Sequence, residues 1–529
     1  MEKEISNSTI NKTFEWKTEF KYILKLSFPI FIQMFFFAIV GIVGSLATTL
    51  YNRVYHFDGS YNGYYFYLFS KIFVVYKIIT FLPLIYQLGV LVIGSNLYGQ
   101  NKQKEMLKLM WSAFYISLIL NSIIYLIIFF SASKLLEFAG AKNERLLSWK
   151  TIEDLNKFKQ NLKLANISDF SNLPLNHYVF KGGIEGSKVF QNTNVYVEVM
   201  NENKFATQFL RISCLDVFFV SVAFILNSLL QAVKKNKLAI IGVISASLFR
   251  LVWVFCILFV AKNATLASLE TILGAIINIV ISYILVKKFI FKKMTIRIKQ
   301  TWNSVYIKEI FKLGVPIALE TGIWFVSQYL LSKAIPDANL SDKFIGLWRA
   351  TNALYDIFTA YLLALAYVTS SVVATEIGSK NINRAKEFGI LSFKMGLISQ
   401  LIFSIIGISL TSPLFSIYSI DKELINKYCY FLMAIFMAKS ILDVGPLTLL
   451  RALWGSGDVW MPNLVSLLTM IGLQISLVYV LILFKSPLLS DGLFIIFLGL
   501  ISLADPLFRT LLYYFRWNSN VWTKYAKML

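Results

Sequence analysis

Charged residues make up only 15% of this 529-residue chain and hydrophobic ones 57%, against about a quarter and about half in ordinary soluble domains. Long apolar runs recur from end to end, which excludes a soluble globular protein, since one aqueous core cannot bury a dozen such segments. The net charge of +22 would suggest nucleic acid in a soluble protein; here it reports topology and contact with an anionic inner leaflet, and no nucleic-acid partner is expected.

Residues 1–21 are polar and mixed in charge, without the apolar core or cleavage site of a signal peptide. They read as a cytoplasmic segment, and the first span directs insertion. Hydropathy predicts twelve spans, at 22–49, 64–98, 107–138, 205–233, 238–261, 265–287, 308–334, 344–378, 385–413, 424–455, 459–484 and 492–516. The loops "NKQK", "VKKNK", "VKKFIFKKMTIRIK" and "SKNINRAK" fall on one side. By the positive-inside rule that side, with both termini, is cytoplasmic. The chain is then a multi-pass protein of the plasma membrane, expected as a monomer. Between spans three and four, residues 140–203 form an extracellular insert with a helix-like stretch ("WKTIEDLNKFKQNLK") and a strand-like one ("NVYVEVM"). It is either a small cap or a loop without regular structure. A basic cytoplasmic linker, 288–306, separates an N-lobe (22–287) from a C-lobe (307–517), and 518–529 is a cytoplasmic tail. Three scattered cysteines and two histidines give no disulfide framework, metal site or histidine relay.

The halves repeat. "NSLLQAVKKNKLAIIGVIS" corresponds to "TLLRALWGSGDVWMPNLVS", and "IGSNLYGQNKQKEM" to "VATEIGSKNINRAKEF". Six spans per half is even, so both halves enter the membrane in the same sense. They are expected to be related by a pseudo-two-fold along the membrane normal, with the site between them. The fold class is therefore all-α integral membrane, with twelve transmembrane helices in two pseudo-symmetric six-helix lobes.

The order "LSFPIF" at 26–31, "KLGVPIALE" opening span seven, "TEIGSKNINRAKE" after span eight and "LLRALWGSGDVWMP" after span ten resembles the MATE family of multidrug and toxin extruders. The resemblance covers nearly the whole chain apart from the insert, and implies a two-lobed secondary transporter. The wider superfamily also holds lipid and polysaccharide flippases. In the turn motifs, Gly378, Gly455 and Gly457 are expected to cap helix ends through left-handed backbone, and Asp458 to cap the next helix ahead of Pro462. Arg384 and Arg451 belong to the same structural motifs.

Ionisable residues inside the spans are Lys77, Asp216, Arg250, Glu320, Arg349, Asp356, Lys439, Asp443, Asp505 and Arg509. Glu320, Asp356 and Asp443, on spans seven, eight and ten, all lie near mid-depth. Converging, they would bind Na+, H+ or an organic cation. The family resemblance implies cation coupling by acids of spans seven and ten, hence Glu320 and Asp443, although spacing to neighbouring motifs differs by about a turn. The N-lobe stretches "IVGIVGSLATTL" and "SLFRLVWVF", where another branch of the family places its coupling acid, hold none. Against a coupling role stand local pairs: Lys439 with Asp443 and Asp505 with Arg509 at i,i+4, and Arg349 with Asp356 on one face. Glu320 has no basic residue a turn away and is the stronger candidate. Aligning Gly99 with Gly378 places Lys77 over Asp356 and predicts a gate pair across the cleft. Trp324, Tyr329 and Tyr355 could stack on a substrate, although packing explains most aromatics in so aromatic a chain.

These features point to a secondary transporter exporting an amphipathic or cationic organic solute in exchange for Na+ or H+, without any other cofactor. The alternatives are a lipid-headgroup flippase, or a membrane scaffold or receptor that transports nothing. No Walker motif, metal cluster or nucleophile–base pair suggests an enzyme.

Overall fold

The computed structural model describes residues 14–55, 72, 75–76, 83–138, 145–149, 179–182, 187–192, 195–200, 202–260, 265–292, 301–338, 340, 342–417, 420 and 422–527. Helices α1 (Trp16–Tyr55), α2 (Pro83–Gly99) and α3 (Gln103–Phe138) open the chain. The remaining spans are α4 (Asn203–Ala232), α5 (Asn236–Val260), α6 (Leu266–Phe291), α7 (Ser304–Asp337), α8 (Asp342–Gly378), α9 (Ile382–Ser409), α10 (Lys422–Ser456), α11 (Trp460–Lys485) and α12 (Asp491–Asn518). Eleven described helices are long and apolar enough to cross a membrane. The remaining span is α2, which with Ile72, Val75 and Tyr76 covers the second predicted crossing. Helix α1 begins at Trp16, ahead of the predicted boundary, because the aromatic residues Trp16, Phe20 and Tyr22 already lie on helical turns.

The insert bears the strand that its alternating stretch suggests. It contributes an antiparallel sheet of β1 (Arg145–Trp149), β2 (Val179–Gly182), β3 (Ser187–Asn192) and β4 (Val195–Met200), in the order β1-β4-β3-β2. The strand-like "NVYVEVM" is β4, paired with β3 from Asn192↔Val195 to Ser187↔Met200. The helix-like stretch falls outside the described residues except for Trp149.

Four helices end in the same way. The left-handed residues Asn101, Lys234, Lys380 and Gly457 follow α2, α4, α8 and α10. In each turn the next N–H reaches back five residues: Lys102 to Leu97 (3.0 Å), Lys235 to Leu230 (2.8 Å), Asn381 to Glu376 (2.8 Å) and Asp458 to Leu453 (3.0 Å). This is the Schellman closure, which satisfies the orphan carbonyls of a helix end. Its recurrence at matching places is the repeat made visible. Of the three glycines expected to be left-handed caps, only Gly457 is one, with φ of 89°. Gly378 and Gly455 serve close approach instead. A Cβ on Gly378 would lie 2.1 Å from the Asn96 carbonyl, and one on Gly455 2.6 Å from that of Ser370.

The four turns mark the basic end of the molecule, and there the lobes meet. One continuous core takes Leu91 and Leu97 from α2 and Leu229 from α4 together with Ile310 of α7, Val373 of α8, Trp454 of α10 and Trp517 of α12. Towards the insert end the core divides. Ile128, Phe209, Val217 and Leu258 form one cluster in the N-lobe, and Leu347, Leu432, Phe436 and Phe494 a separate one in the C-lobe. The lobes are thus joined at one end and parted at the other. The first helix of each half packs across the divide. Ile23, Leu26 and Ile30 of α1 lie on Tyr361, Leu365 and Phe388 of α8 and α9, and Gly314 of α7 lies against the Ile85 backbone of α2.

Within a bilayer such contacts gain little from burial and depend on close packing. The seam accordingly uses small residues and direct hydrogen bonds. A Cβ on Gly99 would sit 2.2 Å from the Thr375 carbonyl, and Ser95 Oγ lies 2.9 Å from Ser371 Oγ. Lys234 at the α4 turn crosses the seam, donating to Ser371 O (2.8 Å) and Oγ (2.6 Å). Enclosure of the amine pushes its pKa down to about 7, against the opposing pull of Glu376. Arg384 of α9 clasps Glu19 of α1 (2.8 Å) and Glu376 of α8 (3.3 Å). Its role is therefore an ion-pair clasp between lobes, not only a turn. Replacing Gly378 with Ala is expected to prise the seam open. In a variant lacking the native cysteines, maleimide should label a cysteine at position 371 several-fold faster once Gly378→Ala is added. An unchanged rate would show that the seam is not held by this contact.

Candidate functional site

Glu320 lies at the midpoint of the 34-residue helix α7 and is 6% exposed. Its Oε1 accepts from Ser466 Oγ of α11 at 3.2 Å and lies 3.5 Å from Arg509 Nη1 of α12. Arg509 also donates through Nη2 to Asp505 Oδ2 at 2.6 Å. The partner missing from α7 itself comes from another helix, which a reading of one-turn spacing does not reveal. Asp505 follows the helix interruption at Ser502–Leu503, where the backbone is freed from the regular ladder. Tyr513, one turn beyond Arg509, places its hydroxyl 2.9 Å from Ser466 Oγ. Two acids, one guanidinium and two hydroxyls thus form one buried cluster. An ion pair in such a place survives only because every member has a partner.

Asp443 interrupts α10. Lys439, four residues earlier, pairs with it at 3.2 Å, as the local-pair reading expects. Asp443 also accepts a hydrogen bond from the Tyr355 hydroxyl of α8. Lys439 Nζ sits 4.2 Å above the Tyr355 ring, whose edge meets Phe436. Tyr355 is therefore committed to the Asp443 unit. Asp356 is exposed and engaged. Its proposed partner Lys77 lies outside the described residues, as do the side chains of Arg349 and Tyr329. Trp324, one turn after Glu320, is 42% exposed and meets Phe325 edge-on. The geometry brings Glu320, Asp505 and Arg509 together, and separately Asp443, Lys439 and Tyr355.

Two turn residues differ from expectation. Asp458 does not cap the following helix; its carboxylate takes Arg516 of α12 at 2.6 and 3.1 Å. A salt bridge to a guanidinium outweighs a single backbone cap. Arg451 lies between the rings of Tyr367 and Trp454, 4.9 and 4.5 Å from their centroids. In the N-lobe, Asp216 is buried and accepts from the Tyr76 hydroxyl, while Arg250 pairs with Glu270 at 3.2 Å.

Residues 316–480, which carry Glu320, Tyr355 and Asp443, match the MatE family model. Fold similarity extends over the rest. An outward-facing multidrug resistance MATE family transporter of the MOP superfamily superposes with a TM-score of 0.72 at 12% identity, covering 96% of this chain and 98% of that one. The fold is thus that of MATE transporters, and the family model itself matches from within α7 to within α11 of the C-terminal half. A MOP superfamily transporter from Pyrococcus furiosus, described by the reversed polarity of its binding pocket, gives 0.70 at 12% identity over 96% and 99%. A MATE structure in complex with MaL6 gives 0.71 at 12% identity over 95% and 96%. In sequence, the probable multidrug resistance protein NorM of Bacillus cereus is 28% identical over 142 residues, 25% of this chain and 31% of the relative. The corresponding protein of Bacillus thuringiensis is 28% identical over 116 residues, 22% and 25%. The sequence match thus spans about a third or less of these relatives' length. The likeness to these structures shows the multi-pass helical fold.

Removing the guanidinium tests the Glu320 cluster. Arg509→Met should destabilise the purified protein by about 3–5 kcal/mol, because it strands two buried acids. Adding Glu320→Gln and Asp505→Asn should recover most of that loss in thermal melts. A single mutant melting like the wild type would mean that Arg509 does not hold the three helices together.

Proposed function

We propose that this protein is a MATE transporter that exports an amphipathic or cationic organic solute across the cell membrane in exchange for Na+ or H+. The observation that carries the reading is the position of Glu320 and Asp443, carboxylates near mid-depth in a lobe that, among the described residues, shares a continuous core with its neighbour at the basic end and keeps its own core towards the insert end. A charge there is costly unless neutralised. Its neutralisers here, Arg509 and Lys439, are themselves protein groups able to change partners. Binding of Na+ or H+ at Glu320 would release Arg509 wholly to Asp505, and ion release would reverse this. Such exchange biases the two lobes between arrangements. Inward movement of one positive charge is favoured by about 2.3 kcal/mol per 100 mV, which drives the solute outward. Asp356 would serve as a gate with Lys77, and Trp324 and Tyr329 as stacking surfaces for the solute. Both termini and the basic end would face the cytoplasm, so the described state would open outward.

A second reading has one observation in its favour. Lys439, Arg451 and Arg509 place cations among the acids of the C-lobe, as binding of an anionic lipid headgroup would require. The reversed pocket polarity reported for the Pyrococcus furiosus protein supports considering it.

Liposomes holding purified protein separate these readings. Under an imposed Na+ or pH gradient, efflux of a cationic dye is expected, with Glu320→Gln and Asp443→Asn each lowering it at least ten-fold. Transfer of a fluorescent lipid between leaflets without dye movement would favour the flippase. Absence of both would return the scaffold reading.

A further inference from the structure

The repeat reaches deeper than the turns. Residues 213–217 read S-C-L-D-V and residues 440–444 read S-I-L-D-V, which superposes Asp216 on Asp443. The alignment of Gly99 with Gly378 independently superposes Tyr76 on Tyr355. In the structure these four residues form two matching units: the Tyr76 hydroxyl donates to Asp216, and the Tyr355 hydroxyl to Asp443. Each acid sits at a break in its helix, after Cys214–Leu215 in α4 and at Asp443 itself in α10.

The units differ in what neutralises them. Asp443 has Lys439 at 3.2 Å. Asp216, 1% exposed, has no cationic group within salt-bridge distance among the described residues. The guanidinium near it, Arg250 of α5, is bonded to Glu270 of α6, and a Cβ on Gly274 would strike the Arg250 stem at 2.6 Å. The other titratable groups around it are Tyr76, Tyr125 of α3 and Cys214 of α4. Asp216 Oδ1 and the Thr271 hydroxyl are buried beside each other, and neither has a further hydrogen-bond partner among the described residues. A buried carboxylate without a direct ion pair favours taking up a cation, and so few oxygens around it suit a proton better than a metal ion.

We propose that Asp216 is a second, N-lobe proton-binding group, the pseudo-symmetric partner of Asp443. The proton binds Oδ1, which then donates to Thr271 Oγ1 while Oδ2 keeps the Tyr76 hydrogen bond. Loss of the proton to water leaves a carboxylate that accepts from the Tyr76 hydroxyl and from Thr271, with Arg250 nearby. The inference extends the coupling reading to the other lobe, but its test measures protonation and not transport, so either can fail without the other.

Infrared difference spectra of the purified full-length protein in nanodiscs, recorded between acidic and alkaline pH, show protonated carboxyls through their C=O stretch. Asp216→Asn should abolish one component of that band, and Asp443→Asn should leave this component in place. A spectrum of Asp216→Asn that superposes on the wild type in the carboxyl region overturns the proposal. Tyr76→Phe keeps the test open if the Asn variant does not fold. It removes the hydrogen bond and should shift the same component, and an unshifted band contradicts the assignment.

Discussion

Inside a bilayer two helices gain almost nothing from excluding water, so whatever holds the lobes must come from close packing and hydrogen bonds. The seam at Gly99 and Gly378 meets that constraint. Missing side chains let α2 and α8 touch backbone to backbone, and Ser95, Ser371 and Lys234 bond across it. Everything towards the insert end depends on this contact. With the lobes held at one end, their cores part at the other, and the mid-depth carboxylates lie where the single core divides into two. The outer faces remain apolar and exposed, as at Phe130, Ile405 and Leu483, which is what lipid requires.

The second constraint is the cost of charge at mid-depth. Each buried acid meets it differently. Glu320 and Asp505 share one guanidinium, Asp443 uses a lysine on its own helix and a phenol from α8, and Asp216 uses a phenol without a direct ion pair among the described residues. The lobes are therefore alike in backbone and unlike in electrostatics. The C-lobe holds its acids against Arg509 and Lys439, whereas the N-lobe acid Asp216 has no such ion pair among the described residues.

Much of the fold was legible in the sequence, because hydropathy, loop charge and the repeat are all local or periodic signals. The spans, the two lobes, the strand in the insert and the Lys439–Asp443 and Asp505–Arg509 pairs all follow from spacing along one segment. What escaped was non-local. Arg509 reaches Glu320 across 189 positions, and Asp458 turns from its own helix to Arg516. The glycines at 378 and 455 looked like caps because a helix ends there; only the facing backbone reveals the closer constraint. The Tyr76–Asp216 unit was the exception. The S-x-L-D-V repeat stands in the sequence, but only the hydrogen bond from Tyr76 shows that Asp216 belongs to a unit matching that of Asp443.

The central claim is that the lobes pivot about the basic-end seam under control of the coupling ion. Spin labels at positions 101 and 380, the matching left-handed turns after α2 and α8, report on that seam directly. Pulsed dipolar spectroscopy in nanodiscs should give two distance populations whose ratio changes with pH or Na+, and Glu320→Gln should abolish the change. A single distance, identical under every ion condition, would contradict the account.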